Sequence, residues 1–216
     1  MPVDAPAYPV NLLLAGRPVL VVGGGAVAAS KVRGLLAAGA VVHVVASAVV
    51  DELRALPVTV DERPYARGDV AGFRLAVACT DDPAVNQAVY DDGEAAGIWV
   101  NAADDPERCS YTLPARLDRG RLLVTVSTSG TSPALAGWLR DELAAVVGPE
   151  HEELLQLLAE ARQELAAAGT SRPVADWRAA LDSGMLERIR SGRSAEARAL
   201  LRAALHLDEA PPTESR

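Results

Sequence analysis

Residues Arg17 to Gly39 read RPVLVVGGGAVAASKVRGLLAAG, and the order of parts in this stretch decides the fold. A short apolar run, Val19 to Val22, meets three glycines. A helical pattern follows, with apolar residues at Ala28, Val32, Leu35 and Leu36, and Gly39 stops it. Gly23, Gly25 and Ala28 satisfy the spacing G-x-G-x-x-G/A between a strand and a helix. The first glycine permits a tight turn and the second lets backbone approach a pyrophosphate. The small third residue lets helix and strand pack closely while the helix amino terminus faces the anion. Glycine turns join many strands to helices, so the pattern gains its weight from the elements on either side. The loop Gly23-Gly24-Gly25-Ala26-Val27 is the expected dinucleotide cradle.

Outward from this loop the alternation continues. Ala40 to Ala46 is short and rich in β-branched residues, as a parallel strand buried on both faces should be. Ser47 is expected to cap a short helix through Leu56. Val58 to Val60 and Arg74 to Cys79 read as a third and a fourth strand. Asp82 and Pro83 are set as cap and first position of a helix that runs to Gly97. Ile98 to Asn101 forms the fifth strand. Strands alternating with helices at this spacing predict a Rossmann-like α/β fold, a doubly wound parallel sheet with right-handed crossovers. Beyond Pro114 the alternation stops. Arg121 to Ser127 reads as a strand, and helices are expected over Pro133–Val147, Pro149–Ala168, around Trp177–Leu181 and over Ala195–Leu207. The predicted division is a nucleotide-binding domain over 1–113, a dimerisation segment over 114–148 and a C-terminal helical domain over 149–210.

Composition narrows the classes. Half the residues are apolar and 23% are charged, which is globular. No run approaches the roughly 18 apolar residues that span a bilayer. The opening MPVDAPAYPV lacks the basic flank and apolar stretch of a secretory signal, so the cytoplasm is the expected location. A net charge of −8 argues against nucleic acid and anionic membranes as partners. Cys79 and Cys109 are too few for a thiolate zinc site, and His43, His151 and His206 are scattered, so no metal site is expected.

The most polar stretch, IWVNAADDPERCSYTLPARLDRGRLLVTVSTSGTSP over Ile98 to Pro133, is bracketed by apolar strands. It sets Asp104 and Asp105 just beyond a buried strand, where ligands of open α/β sheets bind. Four segments in order, GGGAVAASK, CTDDPAVNQAV, VNAADDPERCSYTLPA and VSTSGTSPALA, resemble the siroheme synthase N-terminal family. Its members are precorrin-2 dehydrogenases, some of which are also sirohydrochlorin ferrochelatases. The resemblance spans about residues 8 to 140. It implies an NAD-dependent oxidation of precorrin-2 to sirohydrochlorin, on the way to siroheme or cobalamin, by a homodimer. The family's essential aspartate falls on Asp104. In one branch a serine of the SSGGTSP-like motif is phosphorylated, and here Thr128 stands at that place.

Dehydrogenating a reduced tetrapyrrole needs a hydride acceptor and a group that removes a proton. Asp104 is the candidate general base, and Asp105 beside it would raise its pKa by like-charge repulsion or else face solvent. Asp before Pro also initiates turns, so the pair reads equally as a turn. The acid expected at the end of the second strand is missing, with Ala46 and Ser47 in its place, and the residues leave NAD versus NADP open. Thr80, at the end of the fourth strand, is placed to offer a backbone group to the nicotinamide ribose. Asn101 either hydrogen-bonds the cofactor or holds its loop. Ser127, Thr128, Ser129, Gly130, Thr131 and Ser132 are expected as an anion-binding nest for the substrate's carboxylates, helped by Arg116. Arg119 and Arg121 flank the same stretch, and Arg119 reads rather as part of a charged turn. Competing readings are a chelatase, a lyase in which Asp104 accepts pyrrole protons, and a non-enzymatic NAD(P)-sensing regulatory module. The last has no use for NAADDP or STSGTSP.

Overall fold

In the computed structural model, which describes residues 6–103, 105–167 and 176–208, the expected apolar runs form five strands. They are β1 (Pro18–Val22), β2 (Val41–Ala46), β3 (Thr59–Glu62), β4 (Leu75–Ala78) and β5 (Trp99–Ala102). The sheet order is β3-β2-β1-β4-β5 and every pairing is parallel. Between them run α1 (Ala26–Ala37), α2 (Asp51–Arg54) and α3 (Pro83–Ala96). Side chains alternate across the sheet, and the two faces build two cores. Val19 and Val21 of β1 pack with Val42, Val44 and Ala46 of β2 against Ala28, Ala29 and Val32 of α1 and Leu53 of α2. Leu20 and Val22 pack with Ala76, Ala78, Val100 and Ala102 against Val89 of α3. Each such fully buried valine or leucine contributes about 1.5–3 kcal/mol. This is the doubly wound sheet that the sequence predicts.

Boundaries shift by a residue or two, and one cap differs. Ser47 does not cap α2, whose N-cap is Val50 with no side-chain hydrogen bond. The Val50 N–H instead donates to the Gly24 carbonyl at 2.9 Å, so the glycine loop anchors this short helix. The cap of α3 is as expected: Asp82 Oδ1 accepts from the Ala84 N–H at 2.8 Å, with Pro83 at the first position and Gly97 closing the helix at φ +67°.

Past Leu113, β6 (Ala115–Arg119) and β7 (Leu122–Val126) form an antiparallel hairpin. Only the second strand is legible in the sequence. ARLDR carries one inward residue, Leu117, among charged neighbours, and the turn signal is Gly120, at φ +58° in a two-residue loop. The helices are α4 (Pro133–Val146), α5 (Glu150–Ala167), α6 (Trp177–Asp182), α7 (Met185–Arg190) and α8 (Ser194–Ala204). The sequence reading lacks α7, six residues long and bounded by Gly184 and Gly192, both at positive φ. Its Met185 and Ile189 complete a core with Leu157, Ala161, Ala180, Ala197 and Leu201. The Arg119 Nε donates to the Val147 carbonyl at 3.0 Å, satisfying an orphan carbonyl where α4 ends.

The sequence divides the chain after residues 113 and 148. Contacts divide it into Met1–Leu113 with Thr128–Ser132, and Pro114–Ser127 with Pro133–Arg216. Among the described residues no helix is long and apolar enough to cross a membrane.

α3 packs closely on β5 at Gly93. A Cβ on Gly93 would lie 2.2 Å from Val100 Cγ2 and 3.1 Å from the Ile98 carbonyl. Gly93→Ala is expected to cost about 1–3 kcal/mol through overpacking, read as a lowered Tm. An unchanged Tm would show that the layers are looser than this geometry.

Candidate functional site

The carboxyl ends of β1, β2, β4 and β5 line one edge of the sheet, and at β1 the three glycines do three different jobs. Gly23 is buried at φ +126°, and a Cβ there would stand 2.5 Å from the Cys79 carbonyl oxygen. A Cβ on Gly24 would stand 1.9 Å from the Ala48 carbonyl oxygen and 3.0 Å from Ala46 Cβ. The motif does not demand a glycine at position 24, yet its fit is the tightest of the three. Gly25 is exposed, and a Cβ there would meet nothing within 4 Å. Gly25 is also the N-cap of α1, where no side chain accepts from the first-turn N–H groups. Donors without a cap, a helix dipole and open space in front of a glycine together fit an anion such as a dinucleotide's pyrophosphate. Ala26 and Val27 are exposed on the same turn, while Ala28 is buried where α1 crosses close to the sheet.

At the end of β2, Ala46 is buried and Ser47 exposed, so β2 itself offers no carboxylate there. At the end of β4, Cys79 Sγ lies 3.4 Å from the Val22 carbonyl. Burial pushes its thiol up to about 12, which keeps it neutral beside the loop. Thr80 is held by a residue the sequence reading passed over. Asn86 Oδ1 accepts from the Thr80 N–H at 3.2 Å and from its hydroxyl at 2.8 Å, and Asn86 Nδ2 donates to the Thr80 carbonyl at 2.9 Å. The clamp engages the Thr80 N–H and one of the two lone pairs of its carbonyl, so the carbonyl is the backbone group left to meet a ribose. Asn86 was detectable as a polar residue on the buried stripe of α3.

Asn101 is buried, and its amide Nδ2 donates to the Tyr111 carbonyl at 3.0 Å and lies 3.3 Å from Cys109 Sγ. Of the two roles left open, the amide nitrogen serves the loop. Ser110 ties the same loop to Val100, accepting from its N–H at 2.8 Å. Asp104 lies outside the described residues. Ala103, which precedes it, donates its N–H to the Ala78 carbonyl at 2.8 Å. At strand spacing, this end of β5 stands about 10 Å from the end of β1. Asp105 is the N-cap residue of a 3-10 turn over Pro106–Arg108, and its carboxylate pairs with Arg108. Arg108 Nε in turn donates to Gln87 Oε1 at 2.6 Å. Asp105 is therefore ion-paired and partly buried rather than exposed to solvent.

In the segment 127–132, the Thr128 hydroxyl accepts from the Ser132 N–H and donates to the Ser132 carbonyl, both at 3.1 Å. The Thr131 N–H donates to the Thr128 carbonyl, and Ser129 and Gly130 adopt φ +51° and +82°. Thr128 therefore closes the turn on itself. Arg116, on β6, pairs with Asp118 at 3.1 Å. A depression of about 330 Å³ lined by Leu12, Leu13, Leu14, Arg17, Arg74, Leu75 and Trp99 sits at the amino ends of β1, β4 and β5. That is the wrong end of a parallel sheet for a nucleotide. Among the described residues no group of three His, Cys, Asp or Glu is placed to hold a metal ion.

Comparison with known proteins adds a second line. Residues 10–115 match the family model "Putative NAD(P)-binding" and residues 119–145 match "Sirohaem biosynthesis protein central". The siroheme synthase of Azotobacter vinelandii is 37% identical over 203 residues, covering 89% of this chain and 43% of that protein. The siroheme synthase of Methylococcus capsulatus is 40% identical over 205 residues, covering 91% and 43%. The chain thus spans less than half the length of these relatives. A solved structure, SirC, precorrin-2 dehydrogenase, superposes with a TM-score of 0.67 at 28% identity, covering 93% of this chain and 98% of that one.

Gly24 and Gly25 predict separable phenotypes. Gly25→Asp keeps Tm, since aspartate is a good N-cap and meets no protein atom, but it abolishes dinucleotide binding measured by calorimetry. Gly24→Ala lowers Tm as well. Equal binding by Gly25→Asp and wild type would remove the cradle from the site.

Proposed function

This chain belongs to the siroheme synthase N-terminal family, and from that membership we propose that it oxidises precorrin-2 to sirohydrochlorin with NAD. The observation that carries the reading is the open, uncapped amino terminus of α1 at Gly25, on the same sheet edge as the segment leading into Asp104. A bound NAD supplies the hydride acceptor. The glycine loop and first turn of α1 would hold its pyrophosphate, and the clamped Thr80–Asp82 turn would floor the nicotinamide half.

Removing hydride leaves one proton to be taken from the macrocycle. Asp104 is assigned as its acceptor, worth about 10²- to 10⁴-fold for a well-placed general base. Asp105, paired with Arg108, brings little like-charge pressure to bear on it. Precorrin-2 is a polycarboxylate and the protein carries −8, so local donors must receive it. Arg116 and the residues Ser127 to Ser132 are assigned to that task, with Arg116 shared between substrate and Asp118.

We assign the active form to a homodimer. Leu123 on β7 and Leu135, Trp138 and Val146 on α4 expose between 46% and 64% of their surface. Several large apolar groups on adjoining elements suit a symmetric interface. A nucleotide-sensing module remains the reading to be excluded. The siroheme synthase relatives give ferrous iron insertion a place in the same assay.

Purified protein given precorrin-2 and NAD is expected to form NADH and sirohydrochlorin in equal amounts, followed by absorbance. Binding of NAD with no NADH formed would favour the sensor. Asp104→Asn is expected to retain NAD affinity and lose turnover by about 10²-fold or more, and near-native turnover would remove Asp104 from catalysis. In sedimentation the protein should run as a dimer at micromolar concentration, and Trp138→Glu as a monomer.

A further inference from the structure

An acid at the end of β2 commonly reads the 2′ position of the adenosine ribose, and in this chain Ala46, Ser47 and Ala48 stand there. The neighbouring strand supplies a carboxylate at the same level. Ala46 pairs in register with Glu62, the last residue of β3. Val44 and its partner Val60 both pack into the core on the α1 and α2 side. By strand alternation Glu62 shares that face with Ala46. One strand spacing, about 4.8 Å, separates the two, and Ala46 lies beneath Gly24 of the cradle.

Glu62 does not stand alone. Both terminal nitrogens of Arg54, at the end of α2, engage its two oxygens: Nη1 with Oε1, and Nη2 with Oε2 at 2.8 Å. Arg54 accordingly holds the Glu62 carboxyl below its ordinary pKa. Two other acids nearby are also matched. Arg33 pairs with Glu52, and Asp61 is met by His43 and Arg63.

We propose that Glu62 is a specificity-determining residue, which by occupying Arg54 excludes a 2′-phosphate and so selects NAD over NADP. The proposal rests on the dinucleotide reading of the glycine loop. A 2′-phosphate is recognised by a guanidinium free to donate two parallel hydrogen bonds. Here that fork is filled by a carboxylate, which also repels the incoming phosphate. A 2′-hydroxyl meets no such repulsion. The carboxylate on β3 thus takes no part in binding the ribose; it acts only by keeping the arginine beside it silent.

Calorimetric affinities for NAD and NADP test this without turnover. Both side chains are 45% exposed, so substitution leaves the core intact. Glu62→Gln is expected to tighten NADP about three- to tenfold, the range for one unmasked exposed charge contact, with NAD unchanged. Adding Arg54→Met to Glu62→Gln should abolish the gain. NADP affinity unmoved by Glu62→Gln, or a gain that survives without Arg54, overturns the assignment while NAD binding leaves the cradle standing. A wild-type protein that binds neither dinucleotide overturns both.

Discussion

The backbone squeeze at Gly23 and Gly24 is the constraint on which the sheet edge depends. The chain leaving β1 must pass between the carbonyl of Cys79 on one side and that of Ala48 on the other. No side chain fits at either position, so the turn into α1 can be made there by glycine alone. That passage brings β2, β1 and β4 to a common level and points the first turn of α1 outward. It also starts α2, through the hydrogen bond from Val50 to the Gly24 carbonyl. A steric requirement of the protein thereby produces an open place for an anion at the next residue, Gly25.

Polar side chains around this edge are spent mainly on shaping it. Asn86 holds Thr80, Asn101 holds the segment from Cys109 to Tyr111, and Thr128 holds Ser132. Each is buried or half-buried, where an unsatisfied amide or hydroxyl would cost about 1–3 kcal/mol. Loops that end strands cannot pair their own backbone in a ladder, so side chains from a helix or from further along the loop complete the pairing. The result is an edge whose loops are held in shape by side-chain hydrogen bonds.

Charge is managed in the same way. The chain carries −8, yet many of its arginines are matched with acids, as in Arg54–Glu62, Arg108–Asp105 and Arg202–Glu164. Exposed pairs of this kind contribute little to stability. Their larger consequence is to remove free guanidinium groups from places where an unwanted anion could bind.

The sequence by itself determined the parallel sheet, the glycine turn and the cap of α3, because apolar period, glycine spacing and Asp-Pro capping are local properties. It also carried the family resemblance, through four short segments in order. It could not show β6, whose charged residues hide a single inward leucine, nor α7, which is too short to display a period. The partners of Thr80, Asn101 and Glu62 were equally out of reach. Each partner lies on another element or across a loop, and a hydrogen bond is chosen by register and packing, which only the tertiary structure decides.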